Sequence, residues 1–75
     1  MESYLFTFET ISMVLLFEKA LKNENIKTKL MPVPRQFSSS CGSCAIIQKE
    51  DLEKTKEICQ KNHIFYDEIH LYEKN

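Results

Sequence analysis

At 75 residues, with 43% hydrophobic and 28% charged residues spread along its length, the chain reads as one small globular domain over residues 1–75, near the lower size limit for an unstapled core. Ten basic against eleven acidic residues leave a net charge of -1, so the broad positive field that attracts a phosphate backbone is missing and nucleic acid is excluded as the expected partner. The longest apolar run, Ile11 to Phe17, is broken by Ser12 and followed by Glu18 and Lys19; it is too short for a membrane span or a secretory leader, which predicts a cytoplasmic protein.

Ser3 to Phe8 is dense in aromatic and large aliphatic residues and predicts a first strand. Thr10 suits a helix N-cap, and from Ile11 to Asn23 the residues Val14, Phe17, Ala20 and Leu21 recur at helical spacing, with Glu18, Lys19 and Lys22 on the wet side. Lys27 to Val33 predicts a second strand, and Pro32 and Pro34, which supply no ladder donor, put it at a sheet edge. Pro34 to Gly42 is a loop with three consecutive serines and the only glycine, and Cys44 to Ile47 is a short third strand. Glu50, Asp51 and Glu53 suit the positive end of a second helix, which buries Leu52, Thr55, Ile58 and Cys59 and runs to about Asn62. Ile64 to Tyr72 alternates as a last strand, with Tyr66, Glu68, His70 and Tyr72 on one face.

The order βαββαβ predicts an α+β, ferredoxin-like two-layer sandwich, an antiparallel sheet with both helices on one face. In that topology the loop between the second and third strands shares its end of the domain with the start of the first helix and the end of the second. Cys41 and Cys44 are therefore expected at the same end as Thr10, Cys59 and His63. The other sheet face is expected to be uncovered, and an aromatic set of Tyr66 and Tyr72 beside His70, joined by Tyr4, Phe6 and Phe8, would favour a homodimer or a partner domain there.

Three cysteines, an odd number, argue against a disulfide framework and for a reducing compartment, and the Lys, Glu, Asn and Ile bias suits a bacterial source. Cys41-Gly42-Ser43-Cys44 has the spacing of a dithiol redox pair, although such pairs usually open a helix and this one leads into a strand. Cys41, Cys44, Cys59 and His63 together have zinc-like spacing, set against the plainer readings of Cys59 as a core residue and His63 as a helix C-terminal cap.

Pro32-Val33-Pro34-Arg35 followed by Ser38-Ser39-Ser40-Cys41-Gly42 resembles the selenium/sulfur carrier-like family of small bacterial domains, in which a first strand and helix lead to a Pro-x-Pro-Arg stretch and a Ser-x-x-Cys-Gly turn. The resemblance implies that Cys41 holds sulfur or selenium as a persulfide-like species and passes it on, with a cysteine desulfurase or an acceptor protein as partner. Ser43-Cys44 departs from the small or apolar residues that follow the Cys-Gly pair in the family and adds a possible resolving thiol. A thiol accepts sulfur as the thiolate, which Arg35 and the first helix's N-terminus would favour, while Gly42 and Ser40 would offer backbone and hydroxyl donors to an anionic cargo. The chain is thus expected to be a sulfur or selenium carrier with no resident cofactor, an accessory rather than an enzyme acting alone; the alternatives are a small zinc-binding or interaction module and a CxxC redox protein.

Overall fold

The computed structural model describes residues 2–37 and 41–73. The chain forms β1 (Glu2–Thr7), α1 (Ile11–Asn23), β2 (Thr28–Pro32), β3 (Ser43–Gln48), a 3-10 turn over Lys49–Asp51, α2 (Leu52–Lys61) and β4 (Glu68–Glu73). Every strand pairing is antiparallel and the sheet order is β2-β3-β1-β4. With α1 and α2 sharing one hydrophobic cluster against the sheet, this is the expected ferredoxin-like βαββαβ sandwich, and β2 is an edge strand. Among the described residues no helix is long and apolar enough to cross a membrane.

Local chemistry fixes both helices. At the start of α1 the Met13 N–H donates to Thr10 Oγ1 at 3.4 Å, satisfying one of the orphan donors of the first turn. Both helices end in the same motif. The Ile26 N–H donates to Leu21 O at 2.9 Å and the Asn25 N–H to Lys22 O at 3.1 Å; in α2 the Ile64 N–H donates to Cys59 O at 2.8 Å and the His63 N–H to Gln60 O at 3.4 Å. These are Schellman caps, with Asn25 (φ 60°) and His63 (φ 56°) in the left-handed position that glycine usually takes. Ile26 and Ile64, the next residues, are buried and turn the chain back into the core.

The core centres on rings. Phe6 packs on Phe17 and Tyr66, with centroids 5.1 and 4.9 Å away, and Phe8 meets Phe17 at 5.2 Å. Val14, Leu21, Ala45, Ile47, Ile58 and Cys59 complete the cluster. Strand alternation sends Phe6 and Phe8 of the first chain segment, and Ala45 and Ile47 of β3, toward the helices. Leu5, Thr7 and Cys44 have 0% exposure as well, yet they stand outside that cluster, on the opposite face.

The aromatic set expected on the uncovered face is therefore corrected. Tyr4, Phe6, Phe8 and Tyr66 all pack toward the helices, and only His70 and Tyr72 lie on the outer face, in register with Leu5 and Ser3. Because β1 is a central strand buried on both sides, both of its alternating sets are apolar and hydropathy cannot tell them apart. The last strand also begins later than expected, at Glu68 rather than Ile64. Ile64 is taken up by the cap of α2 and Tyr66 by the core, so the approach to β1 starts with Asp67, whose N–H donates to Thr7 O at 2.7 Å.

Candidate functional site

The cysteine loop is the connection between β2 and β3. Its base is set by the Pro32↔Ser43 pair and by the Val33 N–H donating to Gly42 O at 3.2 Å. Pro34 to Phe37 forms a turn closed by the Phe37 N–H on Pro34 O at 3.0 Å. Ser38, Ser39 and Ser40 lie outside the described residues, and the donor role expected of Ser40 lies there with them. Gly42 has φ +73°, with nothing within 4 Å of where a Cβ would stand. The requirement for glycine is thus conformational rather than spatial. Gly42→Ala is expected to cost about 1 kcal/mol through the left-handed backbone alone, read as a lowered urea midpoint; an unchanged midpoint would show that the turn adopts another conformation.

The three cysteines are thiols in three different settings. Cys41 is partly exposed, packs against the edge of the helix-side core, and its Sγ–H donates to Ser43 O at 3.2 Å. The β1–β3 register ends at Thr7↔Cys44, so the chain just before Cys44 lies at the end of the sheet where β1 leads into α1. Arg35 is exposed in the Pro34–Phe37 turn and makes no ion pair among the described residues.

Cys44 is fully buried on the outer face of β3, and its Sγ–H points at Met31 O, 3.5 Å away on β2. Burial, and to a smaller extent the neighbouring Cys41, push its pKa from the ordinary 9.0 up to about 11. Cys59, 2% exposed in the helix-side core, is likewise pushed up to about 11 by burial. His63 serves as the left-handed cap residue of α2. The four residues with zinc-like spacing are therefore not brought together: Cys44 and Cys59 face opposite sides of the sheet. Among the described residues no three His, Cys, Asp or Glu side chains form a metal-holding group.

The raised thiol pKa values carry a stability consequence with a definite sign. The unfolded chain gives up these two protons near pH 9.0, before the folded chain does near pH 11, so the stability held by the neutral thiols is complete below pH 9 and drains away between pH 9 and 11. We expect a loss of about 1–2 kcal/mol per thiol over that window. Urea midpoints at pH 8 and pH 11, compared with the Cys44→Ala/Cys59→Ala double variant, isolate the effect because groups common to both proteins cancel. An equal alkaline decline in the two proteins would refute it.

Sequence reasoning missed one part of this site. Phe37, in the cysteine loop, stacks flat on His70 of β4, with centroids 4.2 Å apart and planes 19° from parallel. His70 Nε2 lies 2.9 Å from Glu68 Oε1, two residues back on the same strand face. The alternation of the last strand did place His70 and Glu68 on the outer face, but nothing local connects either to a phenylalanine 33 positions earlier. An open groove of about 780 Å³ also exists at the C-terminal end of α2, lined by Lys56, Cys59, Gln60, His63, Phe65 and Tyr66 among others; neither Cys41 nor Cys44 lines it.

A family model described as "Putative Se/S carrier protein-like" matches residues 3–71. No curated protein and no solved structure matches the chain.

Proposed function

The chain belongs to the Se/S carrier protein-like family, and from that membership we propose that it accepts sulfur or selenium on the Cys41 thiol as a persulfide-type adduct and delivers it to a protein acceptor. The observation that carries this reading is the contrast among the three thiols. Cys41 is the one partly exposed, on the hairpin loop, whereas Cys44 and Cys59 are buried and held protonated. A sulfur donor must reach a thiolate; access singles out Cys41, and burial with a raised pKa disfavours Cys44 and Cys59.

The surroundings of Cys41 suit the task. Gly42 opens the turn beside it, α1 starts at the same end of the domain, and Arg35 stands on the same loop with its charge uncompensated by any ion pair among the described residues. Arg35 and Gly42 then serve the loaded anion, one by charge and the other by backbone freedom. In this reading Cys44 is not the first acceptor. A cysteine desulfurase is the natural donor to test, since it presents its sulfur as a persulfide for transfer.

The test is intact mass after incubation with a cysteine desulfurase and cysteine. The expected result is a reductant-sensitive gain of one sulfur, mapped to the peptide that carries Cys41. No gain, or a gain mapped to Cys59, would overturn the reading.

A further inference from the structure

Resting on the carrier reading above, we propose that the Phe37–His70 stack is a clasp that holds the Val33–Phe37 segment over the outer sheet face and so keeps Cys44 covered and away from loaded Cys41, and that opening the clasp lets Cys44 expel the cargo.

The argument begins with burial that no helix explains. Leu5, Thr7 and Cys44 have 0% exposure, but they face away from both helices. The strand registers lay this outer face out in two rows, Lys29–Ile46–Leu5–His70 and Met31–Cys44–Thr7–Glu68, running from β2 to β4. Something must cover the middle of both rows. The loop leaves the sheet at β2, one edge, and Phe37 lands on His70 at β4, the other edge. At about 4.8 Å per strand spacing that is a span of roughly 14 Å across the face. The chain from Val33 to Phe37 therefore passes over the rows that hold Cys44, Thr7 and Leu5.

The fixed point at the far edge is built from named contacts. The His70 ring is held from one side by Glu68 Oε1 and offers its face to Phe37. Glu68 is in turn anchored by its backbone, whose N–H donates to Thr7 Oγ1 at 3.0 Å. A near-parallel aromatic pair of this kind holds a loop without closing it permanently. It is a contact that a partner surface can replace.

The chemistry that follows is balanced within the protein. Loaded Cys41 carries Sγ bonded to one outer sulfur or selenium atom. With the clasp open, the Ser43–Cys44 end of β3 peels from the sheet and Cys44 turns from the outer face to the side on which Cys41 packs; Cys44 then loses its proton to solvent and its Sγ attacks Cys41 Sγ. A Cys41–Cys44 disulfide bond forms, the bond from Cys41 Sγ to the outer atom breaks, and that atom leaves with the electron pair as hydrosulfide or hydroselenide. Cys44 Sγ is oxidised from thiolate to disulfide and the cargo atom is reduced by the same amount, while Cys41 Sγ exchanges one such bond for another, so no external oxidant is needed. Burial and a high pKa keep Cys44 from this attack while the clasp is shut, which lets the loaded state persist.

The first arm of the test uses reduced full-length protein without cargo. Alkylation by iodoacetamide at neutral pH, followed site by site by peptide mass, is expected to rise about tenfold at Cys44 in both Phe37→Ala and His70→Ala, the size of change that losing one aromatic pair produces in a local opening equilibrium. His70→Phe, which keeps a ring to stack on, is expected to label as wild type does. Cys59, in the opposite core, reports global opening and is expected to stay slow throughout. Unchanged Cys44 labelling in both alanine variants would overturn the clasp. So would Cys44 and Cys59 rising together in every variant, including the milder Phe37→Leu.

The second arm loads Cys41 with inorganic polysulfide and removes the excess. Phe37→Ala is expected to release sulfide and lose two hydrogens by mass, whereas Phe37→Ala/Cys44→Ser is expected to retain its sulfur. Equal release from both would overturn the expulsion step. If wild-type protein takes up no sulfur on Cys41, the carrier reading fails and the expulsion step with it, while the labelling arm still decides whether the clasp exists.

Discussion

Cys41→Ser protein incubated with a cysteine desulfurase and cysteine gains no sulfur, whereas Cys44→Ser and Cys59→Ser proteins each gain one: this is the outcome that the three thiol environments predict. A hydroxyl at position 41 is neither nucleophilic enough nor able to carry a sulfane sulfur, so the loss is complete rather than partial. The two buried thiols cannot substitute. With pKa values near 11 rather than 9.0, each offers roughly a hundredfold less thiolate at neutral pH than an ordinary thiol, before the barrier of reaching it is counted. Quantitative intact mass, with a reductant wash to identify the sulfane sulfur, makes the measurement. If Cys41→Ser loads and Cys44→Ser does not, the acceptor is Cys44 and the roles assigned to the two thiols are reversed.

The largest stability effect is expected at Phe17. Its ring meets both Phe6 and Phe8 and is fully buried, so Phe17→Ala removes the common contact between α1 and the aromatic residues at the end of β1. Truncations of this type cost about 3–5 kcal/mol, while a chain of 75 residues holds about 4–11 kcal/mol in total at typical values per residue. The variant is therefore expected to lose most of its folded population margin, with Tm lowered by roughly 15–30 °C. A decrease under about 5 °C would mean that the core closes around the gap and that Phe17 is not the point where the two layers are joined.

Much of the architecture was legible because its signals are local. Thr10 announces α1 and the observed helix, Ile11–Asn23, keeps the predicted bounds; Pro32 and Pro34 mark β2 as an edge; the acidic run before Leu52 marks α2. The errors arose where a residue's fate depends on distant packing. Ile64 to Tyr66 alternates like a strand, but the cap of α2 and the Phe6 ring claim two of those residues. At the site, the Cys-x-x-Cys spacing was plain, while the divergence of its two thiols was not drawn out. The signal was present, since placing Cys44 in a strand with Ala45 and Ile47 facing the helices turns Cys44 to the other side by alternation. The Phe37–His70 contact had no such signal, because a loop's landing point is set by the whole sheet it crosses.

The proline that closes β2 has a consequence for the protein in concentrated solution. Among the described residues the sheet order leaves one unpaired border on β2 and one on β4, and exposed strand borders are where chains join into extended, insoluble ladders. β2 is only five residues long and Pro32 removes a donor from it, while β4 begins and ends in exposed Glu68 and Glu73. A growing stack would meet a missing hydrogen bond at one border and carboxylates at the other. Restoring a donor with Pro32→Val would lengthen the usable border of β2 beside its loop, so the same residue that shapes the hairpin also guards the domain against aggregation.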